Sequence, residues 1–378
     1  MAQLVTKRWV EQELEFVLAR IDENMKEFSD AFPSPSSENL MYEAWENVEW
    51  TPGFWTGMIW LAYEYTGKKR YLDGVERLMP TFERRLIENT TLDTHDIGFI
   101  YSLSAMAGYR LRGKGEDRQL VVQAANRLLE RYSCKTGIIQ AWGDLSNPDQ
   151  QGRMIIDCLL NLPLLYDATS LTGDERYYQA ALSHSRQAGK YLVRADFSTY
   201  HTFYMDPETG KPLKGKTAQG YSDDSPWARG QAWAVYGFVV SYVHTGKDEF
   251  LRLAKRTADY FIQRLPIDGV PYWDLTFQEG NQYRDSSAGA ILACGLLELA
   301  KNLPLSSSKR ATYEKTAVKI VKTLADTYTT KKDQSNGVLK HGVYSIPHGN
   351  GVDECVIWGD YFYMESLIRL VKAWEMYW

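Results

Sequence analysis

Two aspartates occupy positions where an aspartate is costly. Asp96 lies in the string His95-Asp96-Ile97-Gly98-Phe99, and Asp157 is embedded in Met154-Ile155-Ile156-Asp157-Cys158-Leu159-Leu160. A carboxylate among apolar neighbours needs a partner or a raised pKa. Two that converge on one pocket form a natural general acid/base pair. Taken alone, Asp96 reads as a helix N-cap. Asp157 fits a cap less well, because Met154 to Ile156 already look helical. Arg229 and Gln231 open another apolar stretch beside Trp227 and Trp233. They read either as a surface cation with a packed indole, or as a cation and an amide meeting an anionic sugar while indoles stack on its ring. Trp50, Trp55, Trp142 and Trp358 occupy comparable helix-end positions, and so many indoles beside charges point to carbohydrate. Asp285 and Asp360 repeat the helix-start placement and read as caps. His201 stands apart from the other histidines.

The chain contains no HExxH, no Cys/His cluster and no acidic calcium loop, so no metal is expected. It also lacks a Walker loop, a GxGxxG and a GxSxG elbow, so neither a nucleotide cofactor nor a serine nucleophile is expected. Carboxylate chemistry is the best-supported option. The balance of 43 basic against 48 acidic residues gives −5, which argues against nucleic acid as a partner. A few cations in a pocket can still take an anionic substrate. Cys134, Cys158, Cys294 and Cys355 are widely spaced. Cys158 and Cys294 fall in apolar stretches and read as small buried thiols. With no signal-peptide core at the N-terminus and no apolar run of membrane-spanning length, a soluble cytoplasmic protein is expected.

The elements that would position these residues follow from a repeat. Thr66-Gly67-Lys68-Lys69-Arg70-Tyr71, Thr172-Gly173-Asp174-Glu175-Arg176-Tyr177 and Thr245-Gly246-Lys247-Asp248-Glu249-Phe250 share one form, with a weaker copy at Arg112-Gly113. Glycine stops a helix because it tolerates the left-handed conformation, so each copy is the elbow of a helical hairpin. Periodicity places helices near 7–30, 53–65, 69–89, 96–112, 116–132, 154–171, 175–194, 228–244, 248–264, 286–302, 308–328 and 360–376. They alternate between apolar all round and amphipathic, hence between buried and solvent-facing. Twelve such helices predict an all-α fold, six hairpins closed into an (α/α)6 barrel, as one domain over 1–378. The charged and aromatic clusters all lie about four helical turns upstream of an elbow, and so at one end of the barrel. The long non-helical stretches 196–226 and 331–358 add His201, His341 and His348, and the first reads as an ordered cover over the pocket.

At these residues the chain resembles the unsaturated glucuronyl hydrolases of glycoside hydrolase family 88. The likeness runs through Trp50-Thr51, Gly53-Phe54-Trp55, His95 to Phe99, Ile138-Ile139-Gln140-Ala141-Trp142-Gly143 and Ile156 to Pro163. It continues through Tyr200-His201-Thr202-Phe203-Tyr204, Arg229 to Trp233, Tyr283 to Ser287 and Ile357 to Tyr361. The resemblance implies an (α/α)6 barrel acting on lyase-generated oligosaccharides that end in a C4=C5 unsaturated uronic acid, such as unsaturated chondroitin or hyaluronan disaccharides. It implies Asp157 as general acid/base and Asp96 as the second essential carboxylate. His201, Gln219, Arg229 and Trp233 would surround the uronate and the attacking water, with Trp50, Trp142 and Trp227 as sugar platforms. A Ser-x-x-Ser-x-Lys signature carried by members that handle sulfated substrates is absent, its region reading Ser345-Ile346-Pro347-His348-Gly349-Asn350. Alternatives are an unsaturated rhamnogalacturonyl hydrolase on pectin fragments, a sugar epimerase on the same barrel, and a non-catalytic carbohydrate-binding toroid.

Overall fold

The computed structural model describes residues 5–378. Its helices alternate in character along the chain. Pro52–Thr66 starts on a proline, whose missing N–H costs nothing in the first turn, and buries every residue from Pro52 to Ala62. Lys69–Ile87 buries only Tyr71, Gly74, Val75, Leu78, Phe82 and Arg85, a single stripe at helical spacing. The same contrast separates Ala228–Thr245 from Asp248–Gln263, and Ser286–Lys301 from Ser308–Thr323. The buried helices pack side by side, and the last of them, Ile357–Val371, returns to Pro52–Thr66 and closes the ring. The amphipathic helices form the outer layer. The fold is the (α/α)6 barrel expected from the hairpin repeat.

The elbows explain why the hairpins form. Gly67, Gly113, Gly173 and Gly246 all have left-handed φ, from 65° to 75°. Each donates its N–H four residues back into the helix it ends, to Tyr63, Tyr109, Thr169 and Tyr242 respectively. A Cβ at any of them would meet nothing within 4 Å, so backbone conformation rather than space selects glycine.

Several boundaries differ from the sequence expectation. Only Pro163–Thr172 of the stretch 154–171 is α-helix. Arg153–Ile155 is a strand and Ile156–Leu160 a 3-10 turn. Pairing to the insertion overrides the helical pattern: Arg153–Ile155 lies antiparallel to Thr202–Met205, which pairs with Pro212–Lys216. The insertion is thus an ordered hairpin. The second insertion carries another, Gly342–Ser345 with Asn350–Glu354. The last helix begins at Ile357 rather than 360 and ends at Val371. Beyond it the chain folds back, and Trp378 stacks on Phe362 with ring centroids 5.8 Å apart, edge-on to Phe99 and Tyr236. One contiguous core runs from these aromatics to the helix N-termini around Asp96 and Asp157.

Candidate active site

Asp96 stands at the N-cap position of the segment Ile97–Tyr101, yet its side chain makes no capping bond. It turns away, accepting the Thr94 hydroxyl at 2.7 Å and lying 3.4 Å from His95 Nε2. Burial works against its charge. The His95 imidazole, the Thr94 hydroxyl and Arg131 outweigh that and hold the carboxyl below its ordinary value.

Asp157 lies on the 3-10 turn that follows the strand Arg153–Ile155. Three ties fix this turn. Ile156 N–H donates to the His201 carbonyl at 3.0 Å. Asn161 accepts the Phe99 N–H at 2.6 Å, and its amide reaches the Asp157 carbonyl at 3.3 Å. Gly98 makes the approach possible, because a Cβ there would stand 2.3 Å from the Asn161 backbone. The turns carrying Asp96 and Asp157 are therefore locked together through one asparagine. Asp157 Oδ1 is buried and has no hydrogen-bond partner. Burial pushes its carboxyl up to about 7, against the pull of Arg229 and His95 and with help from Asp96. A protonated carboxylic acid near neutral pH is the form a proton donor needs.

Both aspartates line a cavity of about 160 Å³, together with Trp50, Trp142, Ile155, His201, Gln219, Arg229 and Tyr344. The N-terminal ends of four buried helices face the same end of the barrel, through Asp96, Arg229 at the second position of Ala228–Thr245, Asp285, and Trp358 at the second position of Ile357–Val371. Their aligned peptide dipoles favour negative charge there.

The polar groups of the cavity have assigned directions. His201 Nδ1 accepts the N–H groups of Ala218 and Gln219, at 3.0 and 3.3 Å. Its proton must then reside on Nε2. Burial, Arg229 and His95 push this ring down to about 3, so it is a neutral donor and not a base. Gln219 Oε1 accepts from Arg229 Nη2 at 2.6 Å, which leaves the Gln219 amide N–H₂ for the cavity. Trp50 Nε1 donates to the Tyr344 hydroxyl at 2.9 Å, leaving that O–H free to donate. Three neutral donors and a buried guanidinium thus surround a space closed at its end by two carboxyls.

Arg229 holds this array together. It is 2% exposed and donates to the carbonyls of Val343 and Tyr344, to Gln219, and to Asp285 at 3.4 Å. Its guanidinium stacks 4.4 Å above Trp227. With its terminal donors engaged, it offers charge to a ligand and fixes Gln219, rather than presenting a free fork.

Not every sequence candidate reaches the cavity. Trp227 is buried behind it, its ring tilted against that of His201 with centroids 4.4 Å apart. Trp233 is fully buried between Phe99 and Phe362. Neither lines the space, and both back the residues that do. Gln231 is likewise structural, donating to the carbonyls of Phe197 and Thr257. Trp55 is core, and Trp358 donates to Ser287 Oγ from beneath Trp50. Asp285 does cap its helix, accepting from Ser287 and Ala288 N–H. Asp360 does not: it lies in the first turn of Ile357–Val371 and accepts the N–H groups of Val338 and Leu339 and the Tyr42 hydroxyl. Tyr344 and Ile155 are lining residues that pattern reading did not select. Tyr344 sits in the second insertion, where only the register of a hairpin brings it to the site.

The match to known proteins agrees with this geometry. The family model described as Glycosyl Hydrolase Family 88 matches residues 21–376. The unsaturated chondroitin disaccharide hydrolase of Streptococcus pneumoniae is 45% identical over 377 residues, covering 99% of this chain and 95% of that protein. The crystal structure of an unsaturated glucuronyl hydrolase from Streptococcus agalactiae superimposes with a TM-score of 0.97 at 44% identity, over 100% of this chain and 95% of that one. A variant of the same enzyme, solved in complex with dGlcA-GalNAc6S, has a TM-score of 0.89 at 42% identity, over 100% and 95% of the two chains. The chain belongs to glycosyl hydrolase family 88.

Proposed function

We propose that this protein is an unsaturated glucuronyl hydrolase. It releases the terminal Δ4,5-unsaturated glucuronic acid from oligosaccharides of the glycosaminoglycan type by hydrating the C4=C5 enol ether. The observation that carries the reading is a cavity lined by two carboxyls, one held near 7 with its buried oxygen unbonded and the other held below its ordinary value. Asp157 gives its proton to C4, and the positive charge that develops on C5 and the ring oxygen is stabilised by Asp96. The Asp157 carboxylate then takes a proton from the water that adds at C5. The resulting hemiketal opens, and the glycosidic bond is lost with it. Gln219, His201 and Tyr344 supply neutral donors to the uronate carboxylate, and Arg229 and the helix N-termini supply positive potential. Trp50 and Trp142 offer apolar surface to the sugars. Because attack is not at the anomeric carbon, carboxylate separation carries no stereochemical prediction here.

A wider groove of about 630 Å³ shares Tyr344 with the cavity. It is lined by Glu38, Glu43, Glu49 and Glu354 and by no lysine or arginine. Ser345 is bonded to His348 at 2.7 Å in the loop beside it. This lining favours an uncharged sugar next to the uronate over a sulfated one. The four cysteines are free thiols, which fits a reducing, cytoplasmic setting. The test is loss of enol-ether ultraviolet absorbance on an unsulfated unsaturated chondroitin disaccharide. Turnover of that substrate ahead of its 6-sulfated form supports both statements. Turnover only of an unsaturated rhamnogalacturonan disaccharide would move the assignment to pectin fragments.

A further inference from the structure

The sheet that leads into the Asp157 turn has a face that the hydration scheme does not use. Its strands Arg153–Ile155, Thr202–Met205 and Pro212–Lys216 lie side by side in that order, all antiparallel. Residues opposite one another share a face, and neighbours along a strand alternate. The register therefore puts Met154, Phe203 and Gly215 on one side. On the other it puts Arg153 with Tyr204 and Lys214, and Ile155 with Thr202 and Lys216. The first side belongs to the core: Met154 and Phe203 are buried, and a Cβ on Gly215 would stand 2.4 Å from the Tyr200 ring. The second starts at the cavity, which Ile155 lines, and runs out to solvent through Lys214.

This second face carries three cations and no acidic residue. Arg153 is held between two rings, its guanidinium 4.6 Å from the centroid of Trp142 and 5.4 Å from that of Tyr204. Its Nε donates to the Tyr204 hydroxyl at 3.1 Å, and neither terminal nitrogen has an acceptor among the described residues. Trp142 is a wall of the cavity and is 36% exposed, so Arg153 stands at the mouth. Among the described residues neither Arg153, Lys214 nor Lys216 forms an ion pair. A guanidinium fixed by its Nε, with its terminal N–H groups unused, fits a planar carboxylate. The opposite rim, reached through Tyr344, is the groove lined by Glu38, Glu43, Glu49 and Glu354. The mouth is thus divided by sign.

We propose that this sheet face is an extended subsite for the carboxylate of a second uronic acid, in substrates longer than a disaccharide. The assignment rests on the function proposed above. In an unsulfated glycosaminoglycan chain, uronates alternate with uncharged hexosamines. The sugar after the terminal uronate then brings no charge to the mouth, and the one after that brings a carboxylate. The acidic rim repels that carboxylate and the basic face accepts it, which directs the chain past Trp142 and over Arg153. Arg153 supplies the fixed geometry, while Lys214 and Lys216, on flexible stems, supply positive potential.

The experiment compares two unsaturated tetrasaccharides on the whole protein. One is the unsulfated chondroitin tetrasaccharide, and the other carries only uncharged sugars after its terminal uronate. In wild type kcat/KM is expected to be about fivefold higher on the first, the scale of a few partly exposed charge pairs. That preference shrinks as salt is added. Lys214→Gln/Lys216→Gln lowers it about twofold, and Arg153→Gln removes most of the remainder. Because the ratio is taken within one enzyme, loss of folded protein or of support for Trp142 cancels from it. Equal rates on the two tetrasaccharides in wild type overturn the proposal, as does a preference that survives both variants. An effect of the variants confined to the 6-sulfated disaccharide would also overturn it, by assigning the cations to a sulfate on the first sugar. If wild type turns over no unsaturated uronide, the functional reading fails. Equilibrium binding of the chondroitin tetrasaccharide still decides the face: Arg153→Gln should weaken it about threefold, and an unchanged Kd rules the subsite out.

Discussion

Asp157 and Asp360 are both deeply set carboxyls, and burial raises both to about 7. What differs is where their oxygens go. Asp360 accepts the Leu339 N–H at 2.7 Å, the Val338 N–H at 3.0 Å and the Tyr42 hydroxyl at 3.0 Å. It ties the second insertion and the segment around Tyr42 to the last helix. Asp157 has a buried oxygen without a partner and faces a cavity. A displaced pKa alone does not separate a structural carboxyl from a reactive one. A carboxyl that lines a cavity and has an oxygen without a partner does, since such a group keeps its desolvation cost only where something else offsets it.

The sharpest way to break this contrast is to replace each carboxyl by its amide. Asp157→Asn is expected to lower kcat by ~10³-fold or more, the scale of a lost general acid/base, while KM and the melting temperature hold. A folded Asp157→Asn enzyme with near-normal turnover would remove Asp157 from the chemistry. The pH dependence comes next in size. The proposed scheme requires protonated Asp157 and ionised Asp96, so kcat/KM should fall about tenfold per pH unit above a midpoint near 7. Asp360→Asn should leave that limb in place, which separates the two groups in one titration. Stability has its own sign. Each carboxyl rises from 3.8 to about 7 on folding, so its contribution is complete below about 3.8 and is lost as pH rises through 7. Asp360→Asn loses about 2 kcal/mol at acidic pH, because its amide must point a donor at one of two backbone donors. The rate per folded molecule stays within about twofold. Denaturant titration at two pH values measures both effects, and a large rate loss in folded Asp360→Asn would erase the distinction.

Most of the barrel was legible in the sequence because its signals are local. A glycine that must be left-handed ends each hairpin, and one helix of each pair is apolar all round. Asp96 and Asp157 were legible for the same reason: a charge inside an apolar run is visible without knowing the fold. The misreadings share a different cause. Met154 to Ile156 reads as helix, but Met154 and Ile155 belong to a strand whose partner, Thr202–Met205, is distant in the chain, and Ile156 opens the 3-10 turn. Trp227 and Trp233 carry the same local pattern as Trp50 and Trp142, and only the packing of the ring decides which indoles meet the cavity and which support it. Tyr344 was missed for that reason as well. Asp360 reads as a cap because its position resembles that of Asp285; the backbone it actually holds belongs to another segment. Cys158 reads as a small buried thiol. Its complete burial agrees with that reading.

Asp285 lies between the two extremes and gives the finest test. It is fully buried and satisfied like Asp360, accepting Ser287 N–H at 3.0 Å, Ser287 Oγ at 2.6 Å and Ala288 N–H at 3.3 Å. Yet its other oxygen is 3.4 Å from Arg229, which shapes the cavity. Burial raises its carboxyl and Arg229 opposes the rise. Asp285→Asn keeps a capping carbonyl but gives up the ion pair. Arg229 still has the Val343 and Tyr344 carbonyls and Gln219 Oε1, so its position loosens rather than fails. The expected cost is about 1 kcal/mol of stability. Because Arg229 sets the Gln219 amide that the proposed scheme places on the uronate, KM should rise a few-fold, roughly 1 kcal/mol of lost binding, with kcat nearly unchanged. Steady-state kinetics on the unsaturated disaccharide distinguish the outcomes. An effect on kcat as large as that of Asp157→Asn would place Asp285 among the reacting groups. An unchanged KM would mean that Arg229 does not depend on its carboxylate, and that the cap is the whole of its role.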